Sequence, residues 1–280
     1  MMWTDPPEYT AALEQFLAPL RETVFWSSCW YSHTDVDHFQ FVLSLLQDYT
    51  DIAGKRILDS GCGSAGLLIA LRNAGAGPLL GVECDPNVYR LAVLRTNEID
   101  QLKIVQDDTF LLQEERQSFD IIVSFHVIEH VSDYEMYIRA QATLLKPKGL
   151  LFIACPNRMW PTEAHSGLPL IHFLPRSLSR TIGKAFQHAA FLPAALRDRG
   201  RTSTLYQTDF TCFRLKKLLL KYGFEILGMN DSRHFISDLG MHRIGRALRR
   251  CIRVLPTQWQ RLASILFSRD VRIVCQKKPL

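Results

Sequence analysis

The sequence predicts an α/β fold, a sheet with helices on both faces. Three observations carry that expectation. Residues 56–68 read as an apolar strand, a glycine turn and a departing helix. Residues 55–155 continue with short apolar strands alternating with helical stretches, the pattern of a parallel sheet. At 280 residues and 47% hydrophobic content, the chain can bury one such core and carry additional segments.

In chain order, residues 8–49 read as helices, with Tyr9, Leu13, Phe16, Leu17 and Leu20, then Phe39, Val42, Leu43 and Leu46, at helical spacing. Between them lies an aromatic stretch from Phe25 to His33. It is expected to pack on the core, with a lid over the central pocket as the competing reading. The first strand is Arg56–Asp59, and its helix runs to about Asn73. Gly61, Gly63 and Gly66 form a G-x-G-x-x-G, a spacing shared with dinucleotide sites. Asp59 argues against a pyrophosphate there, because its carboxylate repels phosphate and attracts a cation. Cys62, inside the turn, reads as a small filler and a turn contact, not a nucleophile.

Leu79–Glu83 is the second strand. It ends in an acid 22 residues after Gly61, a spacing suited to a carboxylate that accepts hydrogen bonds from a ribose diol. Asp85 reads as the N-cap of the next helix, with Pro86 at the first helical position. Leu102–Gln106 is the third strand, and Asp107 or Asp108 after it can accept from an adenine amine. The fourth strand, Phe119–Ser124, leads through Phe125 into His126-Val127-Ile128-Glu129-His130. A helix from about Tyr134 to Leu145, a turn at Lys146–Gly149 and a fifth strand, Leu150–Ala154, follow.

Motif I around Asp59–Gly66, the Val-Ile-Glu-His segment and the Leu-Lys-Pro-x-Gly turn together resemble the class I S-adenosylmethionine (SAM) methyltransferases. They are most similar to the type 11/23 branch that includes the ubiquinone-pathway O-methyltransferases. The resemblance covers about half the chain. It implies a Rossmann-like seven-stranded sheet, with Tyr222-Gly223-Phe224-Glu225 opening the penultimate strand and Val271–Cys275 as the last. It also implies SAM as cofactor: Asp59, Gly61, Cys62 and Gly63 at its amino-acid end, Glu83 on the ribose, Asp108 on the adenine and Phe125 flanking it. Four parts are expected: a helical cap over 1–50, the SAM-binding core over 51–155, a basic insertion over 156–205 near the acceptor pocket, and residues 206–280 completing the sheet.

An oxygen acceptor of high pKa needs a base or a metal. If 126–130 is helical, His126, Glu129 and His130 share one face. That segment is similar to the Glu-x-x-Glu-His that binds a divalent metal in ubiquinone-pathway and small-RNA 2′-O-methyltransferases. His126 stands where those carry the first Glu, which favours an ion softer than magnesium. His165 or His172 can add a ligand. A base role for His126 or His130, and a purely structural role, remain open beside the metal.

The charge is divided. Residues 1–150 hold 11 Lys/Arg against 21 Asp/Glu, and residues 151–280 hold 22 against 7. The basic half suits an anionic surface or only solvent. Residues 240–268 carry Arg243, Arg246, Arg249, Arg250 and Arg253 among Ile244, Leu248, Ile252 and Leu255, a basic amphipathic pattern. Anionic membrane contact, nucleic-acid contact and packing on the domain all remain open for it. No apolar run reaches spanning length, the start lacks signal-peptide character, and seven scattered cysteines without a C-x-x-C suggest reduced thiols in a cytoplasmic setting. The function expected is methyl transfer from SAM to a small or lipid-linked acceptor on oxygen. The rivals are a metal-dependent RNA 2′-O-methyltransferase, a non-catalytic SAM-binding protein and a nicotinamide-dependent oxidoreductase, the last disfavoured by Asp59.

Overall fold

The computed structural model describes residues 3–23, 25–107, 115–203, 210–230, 254 and 256–279. Its seven strands form one sheet in the order β3-β2-β1-β4-β5-β7-β6. They are β1 (Ile57–Ser60), β2 (Leu79–Glu83), β3 (Leu102–Gln106), β4 (Phe119–Phe125), β5 (Leu145–Pro156), β6 (Phe224–Met229) and β7 (Asp270–Lys277). β1 pairs in parallel with both β2 and β4, and β2 with β3. The chain builds outward from β1 to β3 and then crosses back to β4, so β1 and β4 flank the point where the order reverses. In open α/β sheets, ligands bind outside the carboxyl ends of the strands at that point.

The chain's contacts fall into two compact units. One comprises residues 1–125, 133–152 and 276–280, the other 126–132 and 153–275. Residues 1–50, the expected cap, lie in the first of these units.

In the first unit, α4 (Gly66–Asn73) and α5 (Pro86–Thr96) follow β1 and β2. Asp85 caps α5, its Oδ1 accepting from the Asn87 and Val88 N–H groups. α6 (Tyr134–Leu144) has Asp133 as its cap. Its Tyr137 hydroxyl joins Ser60 and Ser124 in a buried network at 2.8 and 2.9 Å. The N-terminal helices α1 (Pro7–Leu17), α2 (Trp26–Thr34) and α3 (Gln40–Gln47) bury Tyr9, Leu13, Leu17, Val42 and Leu46. Tyr9, Leu13 and Leu17 form one cluster with Leu91 of α5, and Trp26 and Trp30 of α2 pack against it. The aromatic stretch is therefore packed on the core.

The turn expected at Lys146–Gly149 lies inside β5, which begins at Leu145. Hydrogen bonds hold the backbone there: Lys277 Nζ donates to the Leu145 carbonyl and Gln276 Nε2 to that of Lys148. What remains of the turn is a bend, with Lys148 at φ 61°.

In the second unit, α7 (Arg176–His188) and α8 (Ala194–Ser203) precede α9 (Cys212–Lys221), which Thr211 caps and Gly223 follows at φ 82°. α10 (Thr257–Phe267) leads into β7. Of the basic amphipathic segment, residues 240–253 and 255 lie outside the described residues, as does Asp108. No helix among the described residues is long and apolar enough to cross a membrane.

Candidate functional site

Two groups of residues stand out, one in each unit. The first is the turn after β1. Gly61 at φ 82° and Gly63 at φ 53° bend the chain where a side chain would be strained. The Gly61 and Cys62 N–H groups both donate to the Val82 carbonyl at 2.9 Å. Glu83, at the end of β2, pins the turn, because its Oε2 accepts from the Gly63 N–H at 3.0 Å and its Oε1 from the Asp85 N–H at 2.9 Å. A carboxylate has about four acceptor directions, so Glu83 keeps capacity for a diol.

Asp59 is 2% exposed at the end of β1. Burial, with the nearby Glu83 charge, pushes its carboxyl up to about 8. It is protonated near neutrality until a cation arrives. Cys62 is buried and its thiol is pushed up, first by burial, so it is no nucleophile. Phe125, at the end of β4, sits in an aromatic cluster with Phe41, Phe39 and His38, at ring distances of 5.6, 6.0 and 6.4 Å.

Two residues not singled out from the sequence support this turn. His33 Nδ1 lies 3.1 Å from Ser64 Oγ, and its ring is held near 4 by burial and the Arg95 charge. Arg95 is 1% exposed and donates to Asp5, the Thr34 carbonyl and Ser64. It thereby ties the N-terminal helices to the glycine turn. Arg95 shares the apolar face of α5 with Leu91 and Ala92, and a charge on an apolar face was the available signal.

The second group surrounds residues 126–130. They are not an α-helix. His126 has φ 58°, and only Ile128–His130 make a single 3₁₀ turn. The face expected to join His126, Glu129 and His130 therefore does not form. His126 Nε2 lies 3.4 Å from Asp270 Oδ1 and Nδ1 3.8 Å from Glu129 Oε1. Burial lowers its pKa, but these carboxylates outweigh burial and raise it. With an acid near each nitrogen, His126 is biased towards its charged form. Burial raises Asp270, yet His126 and the neighbouring arginines hold it down near 2.

The residues actually brought together are Glu129, His130 and His165, whose ligand atoms lie within 4.8 Å of one another. The Glu129 side chain is 1% exposed, and among the described residues neither oxygen has a hydrogen-bond partner, His126 Nδ1 lying 3.8 Å away. Burial raises its pKa. His130 is held below its ordinary value, first by desolvation and then by the charges of His165 and His126, so it is neutral at pH 7. His165 Nδ1 is 3.1 Å from Glu163 Oε1. Burial opposes ionisation of Glu163, but His165 and the Ser166 N–H at 2.6 Å hold it near 2. A carboxylate behind one imidazole nitrogen fixes the ring and leaves the other for a cation. His172 is not part of this group, and its Nε2 donates to the Arg158 carbonyl at 3.0 Å. Two imidazoles, one orphaned buried carboxylate and a carboxylate behind His165 fit a divalent cation of the zinc or manganese class.

Comparison with known proteins agrees with the fold. A ubiquinone biosynthesis O-methyltransferase of Bartonella bacilliformis is 35% identical over 112 residues, 39% of this chain and 44% of the relative. One from Chelativorans sp. is 31% identical over 166 residues, 55% of this chain and 63% of the relative. The matches thus span less than two thirds of either relative. Among solved structures, a SAM-dependent methyltransferase of Mesorhizobium loti aligns with TM-score 0.55 at 15% identity, covering 87% of this chain and all of that one. A family model described as a methyltransferase domain matches residues 32–227, well over half of the sequence, and the chain belongs to that methyltransferase-domain family.

Proposed function

We propose that this chain transfers the methyl group of SAM to an oxygen of a small or lipid-linked acceptor. The observation that carries the reading is the pair of acids at the ends of β1 and β2 astride a glycine turn. Buried Asp59 awaits a cationic amine, and Glu83 both shapes the turn and faces it with spare acceptor capacity. A phosphate-bearing cofactor would meet the Glu83 carboxylate there and offer buried Asp59 no cation to ionise against. The acceptor oxygen is favoured by the relatives' names, which describe ubiquinone biosynthesis O-methyltransferases.

In the reaction, the acceptor oxygen bonds to the methyl carbon as the carbon–sulfur bond breaks. S-adenosylhomocysteine leaves, and the hydroxyl proton passes to base or solvent. Asp59 holds the cofactor ammonium, Gly61, Cys62 and Gly63 shape its seat, Glu83 takes the ribose hydroxyls and Phe125 closes one side. Asp108 is the sequence's candidate for the adenine edge. Glu129, His130 and His165 would hold a divalent cation, with Glu163 orienting His165. Such a cation, when bound, lowers the pKa of an acceptor hydroxyl. His126 keeps the cluster's charge in balance through Asp270 and Glu129 and serves as neither base nor ligand.

Calorimetric titration with S-adenosylhomocysteine tests the cofactor, and micromolar binding is the expected result. No binding would remove the proposal. Below pH 8, binding should release up to about one proton per site as Asp59 ionises against the ammonium. Titrations in two buffers of different ionisation enthalpy measure it, and identical apparent enthalpies would exclude Asp59. For the cation, zinc or manganese should raise the melting temperature of the wild type and leave that of Glu129→Gln unmoved. Equal shifts in both would exclude the cluster.

A further inference from the structure

Helices α7 and α8 make a hairpin whose closed end is apolar and exposed. They pack closely: a Cβ added at Gly200 of α8 would lie 2.7 Å from the Gly183 carbonyl oxygen of α7. The connection Ala189-Ala190-Phe191-Leu192-Pro193 carries no charge and is turned by the Leu192 N–H donating to the Ala189 carbonyl at 2.9 Å. Phe191 at its tip is 88% exposed, more than any other large hydrophobic side chain among the described residues. Behind the tip, Arg180 and Lys184 on α7 and Arg197 on α8 are exposed. Residues 164–203 contain six Lys/Arg and a single acid, Asp198.

A phenylalanine left in water forgoes the burial that normally stabilises it. A charge-free apolar tip above a cationic collar is the arrangement of a segment that enters a bilayer interface. Anionic headgroups attract such a collar, each base near the surface adding to binding. A second copy of this hairpin would bring one positive collar against another, which is repulsive. We propose that the α7–α8 hairpin docks on an anionic lipid bilayer, with Phe191 among the acyl chains and Arg180, Lys184 and Arg197 against the headgroups. The inference goes beyond methyl transfer and does not depend on it. Cofactor binding can succeed while docking fails, and the reverse.

The test is flotation of the full chain with phosphatidylcholine vesicles, with and without phosphatidylglycerol. The wild type should float only with the anionic vesicles and lose binding as salt rises. Phe191→Ser and the pair Arg180→Glu/Lys184→Glu should each reduce partition by about tenfold or more, by removing the inserted ring or reversing the collar. Lys103→Glu, on exposed β3, should change nothing. S-adenosylhomocysteine titration and circular dichroism verify that each variant is folded. Should a hairpin variant not fold, Phe191→Trp replaces it, and brominated lipids should quench its added fluorescence. Absence of flotation, undiminished binding by Phe191→Ser, no quenching of Phe191→Trp, or capture of RNA in place of vesicles would each overturn the proposal.

Discussion

Replacing Glu83 with alanine should weaken S-adenosylhomocysteine binding by about 100-fold or more. The carboxylate accepts from the Gly63 and Asp85 N–H groups, and hydrogen bonds to a charged group are worth ~1.5–3 kcal/mol each. Gly63 stands at φ 53°, so the turn loses its lateral anchor at a left-handed backbone position. The ribose contact is lost as well. Glu83→Gln keeps an acceptor for Gly63 but loses the charge, and an intermediate loss of about tenfold is expected. Calorimetry reads both constants, and an unchanged affinity in the alanine variant would refute the assignment. The pH dependence of stability should change as well. Asp59 is pushed up to about 8 partly by Glu83. A folded-state pKa above the unfolded one gives stability that is complete below about pH 4 and lost as pH rises towards 8. Removing Glu83 weakens that loss.

Arg95→Leu should destabilise the fold by about 3–5 kcal/mol, the usual cost of removing one partner from a buried, hydrogen-bonded ion pair. Its guanidinium meets Asp5 Oδ1 at 2.7 Å, the Thr34 carbonyl at 3.1 Å and the Ser64 carbonyl at 3.2 Å, and it lies 4.8 Å from the Tyr9 ring. Leucine would leave Asp5 and two carbonyls without that donor. Urea denaturation gives the magnitude, and limited proteolysis should show the first 35 or so residues released ahead of the sheet, as local unfolding predicts. A loss below about 1 kcal/mol would mean the arginine is incidental. Asp5→Asn, which keeps an acceptor at a less buried site, should cost less.

These two residues mark how far the sequence could be read. Glu83 was legible because its evidence is local: an apolar strand, a terminal acid and a fixed distance from Gly61. Asp85 as a cap was legible for the same reason. Arg95 was not, because its partners lie 31, 61 and 90 residues away. The second cluster shows the same division. Glu129 and His130 were visible as neighbours in the chain, and Glu163 stands two residues from His165, whereas the approach of His165 to Glu129 and His130, and the pairing of His126 with Asp270, depend on tertiary placement. The helix assumed for 126–130 failed at one residue: His126 adopts φ 58°, which a periodicity argument cannot foresee. At Lys146–Gly149 the turn chemistry was read correctly but outweighed, because hydrogen bonds from Gln276 and Lys277 hold that backbone within the strand.

Gly81, the centre of β2, has no direct part in any proposed contact. A Cβ there would fall 2.6 Å from Leu68 Cδ1, 2.7 Å from Cys62 Sγ and 2.8 Å from Ile104 Cδ1. One added methyl group would press on the helix behind the glycine turn, on the turn itself and on the neighbouring strand at once. Gly81→Ala is thus expected to lower S-adenosylhomocysteine affinity, read by the same calorimetric titration, while leaving Asp59, Glu83 and the Glu129–His130–His165 cluster chemically intact. In a cell it would separate what the chain does as a catalyst from what it does by being present.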